Sequence, residues 1–98
     1  MPLETSRFDP AEYLDNPEII AAYISAALEE GDPALVAVAL GNVARARGIS
    51  QIAQDAGLSR ESLHRALSGE GSSEFETILR TMRALGLKLS AEPLETTA

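Results

Sequence analysis

The stretch ISQIAQDAGLSRESLHRALSG, residues 49–69, decides the fold. It reads as two short helices broken by a tight turn at Gly57-Leu58-Ser59. Helices that cross steeply through three or four residues need a backbone position with positive φ, and Gly57 provides it without a Cβ clash. Ala53, four residues earlier, stands where the two helices approach most closely, and its small side chain permits tight packing. Ile52, Ala56, Leu58, Leu63, Ala66 and Leu67 recur at helical spacing and form the expected inward seam. Ser59 is placed to cap the second helix, which runs from Arg60 to about Leu67 and ends at Gly69.

With that seam turned inward, Arg60, Glu61, Ser62, His64 and Arg65 point away from it. An arginine at the start of such a helix can pair with the O6 and N7 of guanine or clamp a phosphate, and Glu61 can accept from cytosine N4. Ser59 and the free N–H groups beside it suit a phosphate. Gln51, on the preceding helix, completes the expected DNA-binding set. A polar outer face is ordinary for any amphipathic helix. It is the Ala53–Gly57–Leu63 framework that favours DNA recognition here, although the same geometry also occurs in proteins that never touch DNA.

Composition fits a small regulator. The 98 residues suffice for one domain with one core, and with two Phe, two Tyr and no Trp that core must be filled by Ala, Leu, Ile and Val. The absence of cysteine removes any disulfide framework or thiolate site and suits a reducing cytoplasm. Neither a signal peptide nor an apolar stretch of membrane-spanning length is expected, which places the chain in the cytoplasm with no membrane partner. A net charge of −7 opposes DNA binding only if it is evenly spread, and it is not. Residues 1–44 hold eight acids and one base, whereas residues 45–90 hold seven bases and five acids. The half with the helix-turn-helix, including Arg45 and Arg47, is mildly basic; the other half suits a basic protein partner.

Along the chain, Asp9-Pro10 to Leu14 is expected to form one turn, and Asp15-Asn16-Pro17 to cap a helix reaching about Glu30. Its predicted inward face is Ile19, Ile20, Tyr23, Ile24, Ala27 and Leu28. Gly31-Asp32-Pro33 ends that helix and caps the next, which runs to about Arg47 and buries Leu35, Val36, Val38, Ala39, Leu40 and Val43 in part. Ser73 and Glu76 have capping-box spacing for a last helix over roughly 74–85, locked by Phe75, Ile78, Leu79, Met82 and Leu85. Leu87 to Ala91 alternates apolar and polar residues, as a short strand would, and needs a pairing partner. The expected domain is 1–91, with 92–98 a disordered tail.

Catalysis finds little support. The single histidine, His64, has no cysteine near it and lies on the expected DNA face, so neither a nucleophilic dyad nor a histidine-rich metal site is available. Glu29-Glu30-x-Asp32 reads as a helix end followed by a cap rather than a cation site. Gly69-Glu70-Gly71 lacks the lysine and preceding strand of a phosphate loop. The chain is expected to be no enzyme and to need no cofactor or metal.

A resemblance rests on an ordered series of motifs: Phe8-Asp9-Pro10-Ala11-Glu12-Tyr13-Leu14, Gly31-Asp32-Pro33, Ala44-Arg45-Ala46-Arg47-Gly48, Ser50-Gln51-Ile52-Ala53, Gly57 to Leu63, and Ala84-Leu85-Gly86-Leu87. Across residues 8–91 the chain resembles the addiction-module antidote proteins, which are HigA-like, Xre-type antitoxins. The family commonly has an aromatic residue after the Gly57–Leu63 motif, and here that position is His64. The resemblance implies an all-α, five-helix, lambda-repressor-like helix-turn-helix domain. It further implies an antitoxin that neutralises a small basic RelE/ParE-superfamily toxin and represses their shared promoter. The acidic half supplies the expected toxin-binding residues: Asp9, Glu12, Asp15 and Glu18, joined by Glu29, Glu30 and Asp32, with Phe8, Tyr13 and Leu14 as apolar anchors. Reading two half-sites of double-stranded operator DNA calls for a homodimer, with the last helix and the 87–91 segment as the expected contact. The alternatives are a stand-alone Xre-type repressor, of the prophage kind, with no toxin partner, and a protein-interaction module that has lost DNA binding.

Overall fold

The computed structural model describes residues 16–70 and 74–95. Five helices follow one another: α1 (Pro17–Glu30), α2 (Pro33–Arg47), α3 (Ile49–Ala56), α4 (Arg60–Ala66) and α5 (Phe75–Ala84). The all-α architecture with a helix-turn-helix is as expected. Local chemistry sets most of the boundaries. Asn16 Oδ1 accepts the N–H groups of Glu18 and Ile19 at 2.8 and 3.2 Å, with Pro17 behind it in the first turn, where its missing N–H costs nothing. Asp32 Oδ1 accepts the Ala34 N–H at 3.0 Å and starts α2 in the same way.

α1 packs on α2, α3 on α2, α4 on α3, and α5 braces α3 and α2. The most deeply buried side chains, Ile20, Ile24, Leu40, Val43 and Leu63, come from α1, α2 and α4 and meet in one core. Alanines 27, 39, 44 and 53 fill the narrow spaces between helices. Each large aliphatic side chain withdrawn from water in this way stabilises the fold by about 1.5–3 kcal/mol. Polar groups in the packed region are satisfied: Thr81, fully buried, donates its hydroxyl to the Thr77 carbonyl at 2.8 Å. Between α1 and α2, Asn42 Nδ2 donates to the Tyr23 hydroxyl at 2.9 Å while Arg45 Nη2 donates to Asn42 Oδ1 at 2.7 Å.

Several expected faces differ from those observed. Ile19 and Leu28 of α1 and Leu35 and Val38 of α2 are exposed, while Ala37, Gly41 and Ala44 of α2 are buried instead. Both helices are so rich in apolar residues that spacing alone does not choose a face; the packing of α1 against α2 does. Phe75, expected to lock α5, is 63% exposed because it stands in the first turn, ahead of the core contacts made by Ile78, Met82 and Leu85. The N-cap position of α5 is Glu74, whose side chain makes no cap hydrogen bond; the expected capping box turns on Ser73, which lies outside the described residues. Residues 87–91 are not a strand: no strand forms among the described residues, and a lone segment without a ladder partner gains no backbone hydrogen bonds. The turn expected over 9–14 falls outside the described residues, as do 96–98 of the expected tail.

Candidate nucleic-acid interface

The geometry of the turn is local. Gly57 has φ 74°, in the left-handed region, its N–H donates to the Gln54 carbonyl at 3.1 Å, and the Leu58 N–H returns to the Ala53 carbonyl at 2.9 Å. Leu58 then packs half-buried against the core, and the chain turns directly into α4. Arg80 of α5 donates to the Ala56 carbonyl through Nη1 at 3.4 Å and pairs with Glu76 at 2.8 Å, bracing the end of α3 where the turn begins.

α4 is seated by Leu63, with no exposed surface, and by Leu67 just past its end. Ser59 Oγ accepts the Ser62 N–H at 2.9 Å, so the hydroxyl oxygen is engaged in capping the helix. From the seated helix Arg60, Glu61, His64 and Arg65 stand exposed, and Ser62 is half-buried. Together with Ser68 and Glu70 these four exposed residues line a shallow open recess along the outer side of α4. Among the described residues the ion pair is Arg80–Glu76, so the guanidinium groups of Arg60 and Arg65 are not neutralised by a carboxylate of the fold. Arg65 falls in the last turn of α4 and Glu61 in the first, each on the end of the helix dipole that favours its charge, and His64 shares the last turn.

Gln51, on α3, is exposed but not idle: its Nε2 donates to Asp55 Oδ1 at 2.9 Å, one turn along. Asp55 and the Ser68–Glu70 turn are neighbours of the site that the sequence reading left out. The four-residue spacing of Gln51 and Asp55 was the available signal for the first. For the second it was the serine after α4, whose Oγ donates to the Arg65 carbonyl at 3.0 Å and accepts the Glu70 N–H at 3.3 Å. Of the residues expected to bind toxin, Phe8, Asp9, Glu12, Tyr13, Leu14 and Asp15 lie outside the described residues. Glu18 is exposed in the first turn of α1. Among the described residues no cluster of His, Cys, Asp and Glu is arranged to hold a metal ion, and no helix is long and apolar enough to cross a membrane.

The family described as "Probable addiction module antidote protein" has a model that matches residues 4–93. The chain belongs to this family. An antidote of an addiction module has a toxin as its counterpart, so membership points to an antitoxin role and to a toxin partner in general. An uncharacterized protein of Haemophilus influenzae is 47% identical to this chain over 85 residues, which cover 87% of this chain and 88% of that one. No solved structure matches the chain.

Proposed function

We propose that this antidote protein neutralises a small basic toxin of the RelE/ParE superfamily and, as a homodimer of the HigA-like, Xre type, represses their shared operon by reading operator DNA with α4. One observation carries the DNA part: an exposed row of Arg60, Glu61, His64 and Arg65 on a short helix seated in the core by a fully buried Leu63. A recognition helix needs both properties, since base edges are read by side chains whose helix axis must not yield. Ser59, Ser62 and Gln51 flank the row and suit contacts to the sugar-phosphate backbone. The segregated charge supports two partners: residues 45–90 carry two more bases than acids, while residues 1–44 carry seven more acids than bases. The protein works by binding, without cofactor or catalysis.

The test of the DNA reading is an electrophoretic mobility shift on the chain's own upstream region and on scrambled DNA at fixed salt. The wild-type chain is expected to prefer its upstream region, and Arg60→Ala to lose about 1–3 kcal/mol on it while keeping its weak affinity for scrambled DNA. Uniform weakening on both would reassign Arg60 to a phosphate, and unchanged binding on both would remove it from the interface. For the toxin part, co-expression with the product of an adjacent small basic reading frame is expected to rescue growth and yield a purified complex.

A further inference from the structure

α1 carries no charged side chain from Ile19 to Leu28, yet among the described residues only one of its sides is covered. Ile20, Ile24 and Ala27 go into the core, whereas Ile19 and Leu28 stay 43% and 38% exposed, with Ala21, Ala22, Ser25 and Ala26 open between them. A helix that is apolar nearly all round normally ends up buried on more than one side. Beside it, the C-terminal segment forms the opposite wall of a groove of about 350 Å³, with Leu28 and Ile24 on one side and Leu87 and Leu89 on the other. Leu89 is 37% exposed there.

We infer that this groove and the adjoining outer face of α1 are the docking surface for the basic partner, which seats an apolar segment of its own chain between Leu28 and Leu89. The inference rests on the proposed antitoxin reading and deepens it by naming the surface. Charge selects the occupant. Glu29 and Glu92 line the groove against the single base Lys88, Glu30 and Asp32 follow Glu29, and no lysine or arginine occurs from residue 8 to residue 44. A second copy of this chain, docking by the same patch, would bring these carboxylates against their own kind. The chain's own first 15 residues, with four acids and one base, are no better suited. The wall of the groove favours a polypeptide over a small molecule. Among the described residues none bonds to the backbone of 88–92, so these peptide groups remain open to an extended segment laid beside them.

The experiment uses the full chain and the purified product of the adjacent small basic reading frame, with binding followed by surface plasmon resonance. Ser25→Trp fills the groove from an exposed position and is expected to weaken the complex about 30-fold or more, mainly through faster dissociation. The pair Glu29→Lys with Glu92→Lys leaves the core untouched and is expected to slow association at low salt, an effect that fades as salt rises. Both variants should keep the wild-type melting temperature and mobility shift. Wild-type affinity in both variants would overturn the docking surface and leave the antitoxin reading standing. A wild-type chain that fails to bind the neighbouring product would overturn that reading and the surface with it. A change in self-association on sedimentation would make the groove an interface between copies. A lowered melting temperature of free Ser25→Trp would mean that the chain's own first residues already fill it. Either result would also overturn the assignment.

Discussion

Gly41 sits in the middle of α2, where glycine costs about 1 kcal/mol relative to alanine. Its neighbours explain it. A Cβ there would stand 2.9 Å from the Leu67 carbonyl oxygen and 3.3 Å from both the Leu67 Cβ and Arg45 Nη1. The first of these atoms is backbone and cannot swing aside, so α2 and the end of α4 would have to separate. Gly41→Ala is therefore expected to lose about 1–3 kcal/mol of stability in urea unfolding, the overpacking outweighing the gain in helix propensity. A net gain would mean that the two elements part freely. Gly57 was legible in the sequence because its turn is made by adjacent residues. Gly41 was not, because the atom that forbids a side chain belongs to a residue distant along the chain.

At the scale of the element, caps and faces behave differently. The start of α1 depends on Asn16, which takes up two N–H groups that have no partner within the helix. Asn16→Ala is expected to cost about 1 kcal/mol, read as a lower unfolding midpoint, while Asn16→Asp or Asn16→Ser should retain most of it. Such caps are readable in a bare sequence since donor and acceptor lie within three residues. Faces are harder. The run Ile19 to Leu28 offers apolar residues to every direction, and only the approach of α2 selects Ile20, Ile24 and Ala27 for burial. Phe75 shows the same limit: its helical spacing to Leu79 and Met82 is correct, but α5 meets the core only from Ile78 onward.

For the whole molecule the division of charge governs what can be measured. The helix-turn-helix and the end of α2 hold Arg45, Arg47, Arg60 and Arg65, all exposed. If each neutralised one phosphate in both protomers of a dimer, the slope of log affinity against log salt would be about −7. Operator binding is expected to be no steeper than this, as followed by fluorescence anisotropy over a salt series. A steeper slope would require Arg80, Arg83, Lys88 or Arg7 to face DNA and would change how the domain is docked. On the proposed DNA reading the acidic half would limit the affinity from the other direction, since its seven excess acids would repel the duplex wherever they came near it.

The sequence by itself determined the helices that Asn16, Asp32 and Ser59 cap, the turn at Gly57, the outward row from Arg60 to Arg65, and enough ordered motif to point to the antidote family. All of these depend on chemistry between residues close in the chain, where backbone geometry and hydrogen bonding leave few choices. Tertiary structure alone decided that Ile19 and Leu28 stay open to solvent, that Leu87 to Ala91 pairs with no strand among the described residues, and that Gly41 must lack a side chain. Those outcomes depend on which surface of one helix meets another. An apolar pattern with several equally good faces leaves that choice to the packing of the whole core.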